Sequence, residues 1–275
     1  MPEISYIDKK GGKMKVLILT DELNKKALSF KENLLSLLEE RRVKTVSRAK
    51  LADLILVLGG DGWMIRCIHR HYKAFKPFLG INFGYKGFFM NDLRDELVDL
   101  IIGGKYNLFT FPFLETASEV RGGRVFKTLA LNDIYFNRST RQSCRLNVKV
   151  DDIVVAEKIQ GDGLVVCTSL GSTGYNLAAG GSSVHPEISA IGLTPLAIHT
   201  PVQFKPMVFP LDSKILVEVL EPKKRRVQLA ADIIEYKNVL RAEIKKSEFS
   251  FRLALLEGES FTKRIIEKIM RVSEN

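Results

Sequence analysis

The stretch DLILVLGGDGWMIRCI, residues 53–68, decides the fold. Leu54–Leu58 is an unbroken apolar run of strand length that stops at Gly59-Gly60. Asp61 stands alone between Gly60 and Gly62, and apolar residues return at helical spacing with Met64, Ile65 and Ile68. The pattern predicts a strand over 53–59 that turns through glycines into a helix over about 62–72. The flanking sequence repeats it. MKVLILT (14–20) reads as a buried strand, and a helical stretch follows with Leu28, Leu34, Leu35 and Leu38 near helical spacing. VKTV is a short strand, PFLGIN (77–82) the next, and LRDELVDLIIGG a helix with a glycine stop. Strands alternating with helices imply a parallel α/β sheet.

After Gly104 the character changes. FTFPFLETASEV, RVFKTLALNDIYFNR, SCRLNVKVDD and GLVVCTS are β-branched and aromatic runs separated by turn residues. Further strands are expected at 214–220, 226–231, 237–246 and 249–256, with a helix at about 173–179. A last helix follows, with Ser260 as its N-cap. The organisation expected is an α/β domain over 1–104 and a β-rich domain over 105–258.

The chain has 275 residues, enough for two small domains, with 45% hydrophobic content and no apolar run of the roughly 18 residues a membrane span needs. The first residues, MPEISYIDKKGGK, lack a signal-type apolar core, so a cytoplasmic protein is expected. The net charge of +10 points to an anionic partner, yet the basic residues are dispersed, with only EPKKRR (221–226) dense. No nucleic-acid motif accompanies them, which favours a small phosphorylated ligand. Cys67, Cys144 and Cys167 are far apart and form neither a disulfide framework nor a metal motif.

Gly59-Gly60-Asp61-Gly62 would sit at the carboxyl end of a parallel strand, where such sheets bind ligands. A plain strand–helix turn is the alternative. No Lys-Ser/Thr pair follows, so it is not a Walker loop, and it is not the dinucleotide GxGxxG pattern. Phosphates repel a carboxylate, so Asp61 makes chemical sense as a magnesium partner or as the group that orients a nucleophilic hydroxyl. Three further stretches carry the same signature of glycine and buried polarity. They are GINFGYKGFF (80–89), LNDIYFN (131–137) and GDGLVVCTSLGSTGYNLAAGG (161–181).

These four stretches, in this order and spacing, resemble NAD kinases over about residues 50–215. The resemblance implies an N-terminal α/β domain, a mostly-β C-terminal domain and a terminal helix (259–275) returning to the first, with NAD between the domains. It implies transfer of the terminal phosphoryl of ATP, or of polyphosphate, to the 2′-hydroxyl of the adenosine ribose of NAD, giving NADP. Asp61 becomes the catalytic carboxylate, and Mg2+ or another divalent metal accompanies ATP. Gly62 approaches the ligand, and Ile65 and Phe88 line the dinucleotide pocket. Asn132 and Asp133 read adenine and ribose, Asp162 meets the nicotinamide half, and Thr173, Gly174 and Tyr175 surround NAD. A homo-oligomer, dimer or tetramer, is implied as well.

The sequence departs from the family pattern at several places. Trp63, the only tryptophan, replaces a common Thr, and Asp133 replaces Glu. Leu170 stands in a run usually Thr-Pro-Thr, and Gly174 replaces Ala. ADII (231–234) stands for a usual Asp-Gly-Gln, leaving the role of Asp232 open. Trp63 has two readings: core packing under the helix, or a wall of the ligand site. Competing functions are another GGDG kinase acting on lipid or sugar phosphate, a non-catalytic dinucleotide sensor, and a nucleic-acid binder motivated by charge alone.

Overall fold

The computed structural model describes residues 14–85, 87–201 and 204–270. Residues 1–13, Lys86 of GINFGYKGFF and the last residues of the terminal helical stretch lie outside the described residues. In chain order the elements are β1 (Lys15–Thr20), α1 (Lys25–Glu40), β2 (Lys44–Thr45), β3 (Leu54–Gly59), α2 (Asp61–His71), β4 (Pro77–Asn82), β5 (Met90–Asn91), α3 (Leu97–Ile102), β6 (Tyr106–Val120), β7 (Val125–Ala130), β8 (Asp133–Arg138), β9 (Cys144–Val150), β10 (Ile153–Gly161), β11 (Gly163–Thr168), α4 (Tyr175–Ala178), β12 (Ala190–Leu196), β13 (Met207–Pro210), β14 (Ile215–Val219), β15 (Val227–Ala231), β16 (Ile234–Lys237), β17 (Val239–Leu256) and α5 (Phe261–Met270). They form two compact units, one from the residues up to Phe111 and from Phe249 onward, the other spanning Pro112–Glu248. The change of composition at Gly104 coincides with the start of β6. The division between units falls inside that strand, and β17 likewise runs from the second unit into the first.

The first unit holds the parallel strands in the order β2-β1-β3-β4. β5 and the end of β17 also pair parallel with β4. Every residue of β3 is buried, which is why it reads as a continuous apolar run rather than an alternation. α1 is capped by Asn24, whose side chain accepts the Ala27 N–H at 3.1 Å. It buries Ala27, Leu34 and Leu38, whereas Leu28 and Leu35 are 38% exposed. The buried stripe is therefore narrower than the leucine spacing suggests. α5 inserts the fully buried Phe261 among Phe88, Phe109 and Phe111 at centroid distances of 5.8, 5.0 and 5.6 Å. The terminal helix thus packs on the α/β unit.

The second unit has an antiparallel sheet ordered β13-β12-β11-β8-β15-β16. A further antiparallel set joins β10, β9, β14 and the first half of β17. β9 alternates buried and half-buried residues along CRLNVKV, the period of a strand with one buried face. Ile134, Phe136, Leu164, Val166 and Leu229 of one sheet share a core with Leu146, Val148, Ile215, Val217 and Ile244 of the other. This is sandwich packing. β11 is buried on both faces; Val165 and Cys167 turn away from that core toward Leu196, with Tyr135 and Ala179 packed beside them.

Two expectations change. The runs 237–246 and 249–256 are one strand, β17. The polar Lys245–Glu248 stretch resembles a turn, but it stays extended, and the buried Ser247 donates to the Glu115 Oε2 at 3.2 Å. The helix at 173–179 shrinks to a 3-10 turn over Leu170–Thr173 and the short α4.

Candidate active site

In the first unit the site is built on the first turn of α2. Gly60 is the N-cap residue in extended conformation, and its carbonyl accepts the N–H groups of Trp63 and Met64 at 3.0 Å. Asp61 therefore starts the helix, where the dipole favours negative charge. Its carboxylate is held at both oxygens. The Phe88 N–H donates to Oδ2 at 2.7 Å and the Phe89 N–H to Oδ1 at 2.9 Å. Burial raises its pKa, opposed by those two N–H groups and by the charges of Lys268 and Arg264. Gly87 is required here, since a Cβ would lie 2.6 Å from Met90 Cβ and 3.3 Å from the Asp61 Oδ1. The glycine serves first the tight turn onto Met90 and only second the approach to the carboxylate. At the exposed Gly62 a Cβ would meet nothing within 4 Å.

α5 completes this half. The buried Arg264 donates from Nη1 to the Phe88 carbonyl at 2.7 Å and from Nη2 to the Asn91 Oδ1 at 3.3 Å. It also pairs with the Glu259 Oε2 at 3.4 Å. The Lys268 ammonium lies 5.0 Å from the Phe88 ring centroid. Its pKa is lowered by burial and raised by Asp61. Phe88, Gly87, Asn82, Tyr85, Arg264 and Lys268 are among the residues lining a cavity of about 450 Å³. Ile65 is half-buried on α2. Trp63 is also half-buried, with its indole N–H 3.4 Å from the Leu19 carbonyl and its ring against Gly59. It packs on the ends of β1 and β3.

In the second unit the centre is the turn entering β8. The Asp232 carboxylate accepts three successive main-chain N–H groups, from Leu131 at 2.7 Å, Asn132 at 2.9 Å and Asp133 at 3.3 Å. Asp232 itself has φ +48°, a left-handed conformation that Asp tolerates in turns. The departure ADII therefore keeps an acid that shapes the Asn132–Asp133 turn. From the other side, Thr168 donates its hydroxyl to the Leu131 carbonyl at 2.8 Å and its N–H to the Asn132 carbonyl at 2.9 Å. A Cβ on Gly171 would overlap that Asn132 carbonyl, so this glycine serves packing rather than ligand approach.

The result is a rigid turn with two notable side chains. Asp133 is buried, and burial first and Asp232 second push its carboxyl up to about 7. The Oδ1 of Asn132 is buried and makes no hydrogen bond among the described residues. An unpaired buried oxygen costs about 1–3 kcal/mol, which an incoming N–H donor would recover. Gly174 passes close to Asp133, with a Cβ position 4.0 Å from its Oδ2. Tyr175, 39% exposed, meets Tyr135 edge-on at 5.1 Å. Thr173 is buried at 3% exposure. Behind them Asn176 bridges the carbonyls of Ser172 and Ser182 and accepts the Thr194 hydroxyl at 2.6 Å. Leu170 is buried in the protein, so the lost hydroxyl is replaced by packing. Asp162 stands apart, half-exposed and paired to the Arg138 Nε at 2.5 Å.

Sequence reasoning left Asp232 open and missed Arg264 and Lys268. ADII carries a weak turn signal. KRIIEK, an ordinary amphipathic helix segment, carries none.

The first unit thus carries a glycine-flanked carboxylate at the head of a helix in a parallel sheet, and the second carries a turn with a buried amide oxygen and a buried carboxyl. Residues 131–255 match the ATP-NAD kinase C-terminal domain. The chain is 32% identical to an NAD kinase of Rickettsia bellii over 90% of this chain and 98% of that protein. It is 34% identical to one of Xanthomonas campestris over 71% and 76%. In fold it is similar to yeast NADH kinase, solved with NADH, with TM-score 0.80 and 18% identity over 100% of this chain and 93% of that one. An Archaeoglobus fulgidus NAD kinase, solved with ATP, gives TM-score 0.75 and 22% identity over 94% and 100%. The chain belongs to the NAD kinase family.

Proposed function

We propose that this enzyme transfers the terminal phosphoryl group of ATP to the 2′-hydroxyl of the adenosine ribose of NAD, making NADP. The observation that carries the reading is the Asp61 carboxylate, half-buried and aimed by two main-chain N–H groups. Phosphoryl transfer is mainly positioning and charge stabilisation. Asp61 accepts a hydrogen bond from the hydroxyl and so orients it. The hydroxyl oxygen bonds to the terminal phosphorus, the bond to the bridging oxygen breaks, and ADP leaves with that electron pair. As the hydroxyl becomes acidic its proton passes to Asp61. Burial, which raises the Asp61 pKa, favours this late proton acceptance.

Asn132 and Asp133 supply recognition. Adenine offers an N6 donor beside an N7 acceptor, which a side-chain amide matches in both directions. The unpartnered Asn132 Oδ1 suits the N6 donor. Asp133 accepts ribose hydroxyls, and Thr173, Gly174 and Tyr175 flank them. Gly62, Ile65 and Phe88 of the first unit are proposed to approach NAD, and Asp162 of the second to meet a nicotinamide half.

Among the described residues no three His, Cys, Asp or Glu side chains converge to hold a metal. Asp61 would be the carboxylate offered to a magnesium ion brought with ATP, since Mg2+ in kinases is held largely by phosphates and water. When bound, the ion neutralises developing charge on the transferred group. Polyphosphate is an alternative donor in this proposal. Among the described residues no helix is long and apolar enough to cross a membrane. A cytoplasmic homo-oligomer without nucleic-acid partners completes the proposal.

The test is direct. Purified protein with NAD, ATP and magnesium should yield NADP, detected with an NADP-specific dehydrogenase. Absence of NADP, or phosphorylation of diacylglycerol or a sugar phosphate instead, would overturn it.

A further inference from the structure

We infer that Arg264, on the last helix, is a positioning residue that aims the Asp61 carboxylate through the backbone of Phe88. The inference rests on the assignment of Asp61 to the chemistry. The chain of contacts is short. Arg264 donates from Nη1 to the Phe88 carbonyl at 2.7 Å, and the N–H groups of Phe88 and Phe89 hold the two oxygens of Asp61 at 2.7 and 2.9 Å. The second arm of the guanidinium reaches the Asn91 Oδ1 at 3.3 Å. Asn91 is itself immobile, because its amide donates to the Gly80 and Ala254 carbonyls and its Oδ1 accepts the Leu256 N–H. The guanidinium thus ties both ends of the Phe88–Asn91 segment, one through main chain and one through side chain.

A lone buried cation would not stay there. Glu259 pairs with Arg264 at 3.4 Å and with Arg94 at 3.2 Å, while Arg94 also holds the Glu257 carbonyl at 2.8 Å. A planar fork with several donors can serve a carbonyl, an amide oxygen and a carboxylate together. The compact ammonium of Lys cannot span them. Phe261 roots the first turn of α5 in the aromatic core, so Arg264, one turn later, is carried by a rigid element. Loosening the Phe88–Phe89 amides would let the carboxylate drift from the hydroxyl, and misplacement of about 1 Å costs on the order of a hundredfold in rate.

The experiment compares wild type, Arg264→Lys and Arg264→Met. Both variants should lose roughly tenfold to a hundredfold in kcat, while the KM for NAD changes less than about twofold. Guanidinium ion should partly restore Arg264→Met. In an Asp61→Asn background the Arg264 effect should nearly vanish, since there is no carboxylate left to aim. Hydrogen exchange at the Phe88 and Phe89 amides reads the same coupling without turnover, and Arg264→Lys should speed it by about tenfold or more. A structural role alone would lower Tm and leave kcat per folded molecule intact. That result, an equal kcat loss in the Asp61→Asn background, or unchanged amide exchange in Arg264→Lys, would overturn the inference. Failure of wild type to make NADP would instead remove the assignment of Asp61.

Discussion

Raising the pH should weaken the fold and strengthen NAD binding through one residue, Asp133. Its side chain is buried, and burial followed by Asp232 pushes its pKa from 3.8 up to about 7. In the unfolded chain this carboxyl loses its proton near 4; in the folded protein it keeps the proton until about 7. Between those values the folded state binds the extra proton, so stability falls as pH rises. The contribution is fully present below about 4 and gone above about 7. Three pH units at ~1.4 kcal/mol each set an upper scale of about 4 kcal/mol. Asp133→Asn removes the titration while keeping size. Urea unfolding of both proteins at pH 5, 6, 7 and 8 isolates it. The variant should gain on the wild type by roughly 1–3 kcal/mol between pH 5 and 7 and then level off. NAD affinity should move oppositely in the wild type. If ribose hydroxyls donate to the ionised carboxylate, affinity should rise by up to about tenfold per pH unit below 7 and flatten above it. Calorimetry should show no such rise in Asp133→Asn. A stability difference that stays flat from pH 5 to 8 would refute the buried-acid argument, and a flat wild-type affinity would remove Asp133 from the ligand.

Asp61→Asn should lower turnover by about 10²–10⁴ with NAD affinity little changed, and wild-type turnover in a coupled NADP assay would take Asp61 out of the chemistry. Asn132→Leu removes the buried oxygen awaiting a donor, so NAD binding by calorimetry should weaken by about 1–3 kcal/mol; an unchanged affinity in a folded variant would confine Asn132 to the turn. Saturating NAD should change the emission of Trp63, and Trp63→Thr should silence that signal at a stability cost of about 1–2 kcal/mol for half-buried aromatic area. Binding proved by calorimetry without any change in emission would place the indole in the core alone.

Residues 53–68 by themselves determined the strand, the glycine stop and the helix carrying Asp61. That information is local: a fully apolar run, two residues without side chains, then helical spacing. The alternation in CRLNVKV and the apolar-polar pattern of LNDIYFN likewise announced the β-rich half, because a strand with one buried face must alternate. Motif order then nominated Asn132, Asp133, Thr173, Gly174 and Tyr175. What needed the tertiary structure is everything in which one segment acts on another far along the chain. Asp232 clamps an N–H row a hundred residues earlier, and Arg264 holds a carbonyl 176 residues away. Arg264 leaves no trace in its own neighbourhood, since KRIIEK reads as an ordinary amphipathic helix segment, and ADII carries only a weak turn signal. One of the glycines follows the same rule. Gly171 is needed because the Asn132 carbonyl, far along the chain, occupies the space of its Cβ, whereas Gly87 is needed chiefly because Met90, three residues on, turns back over it.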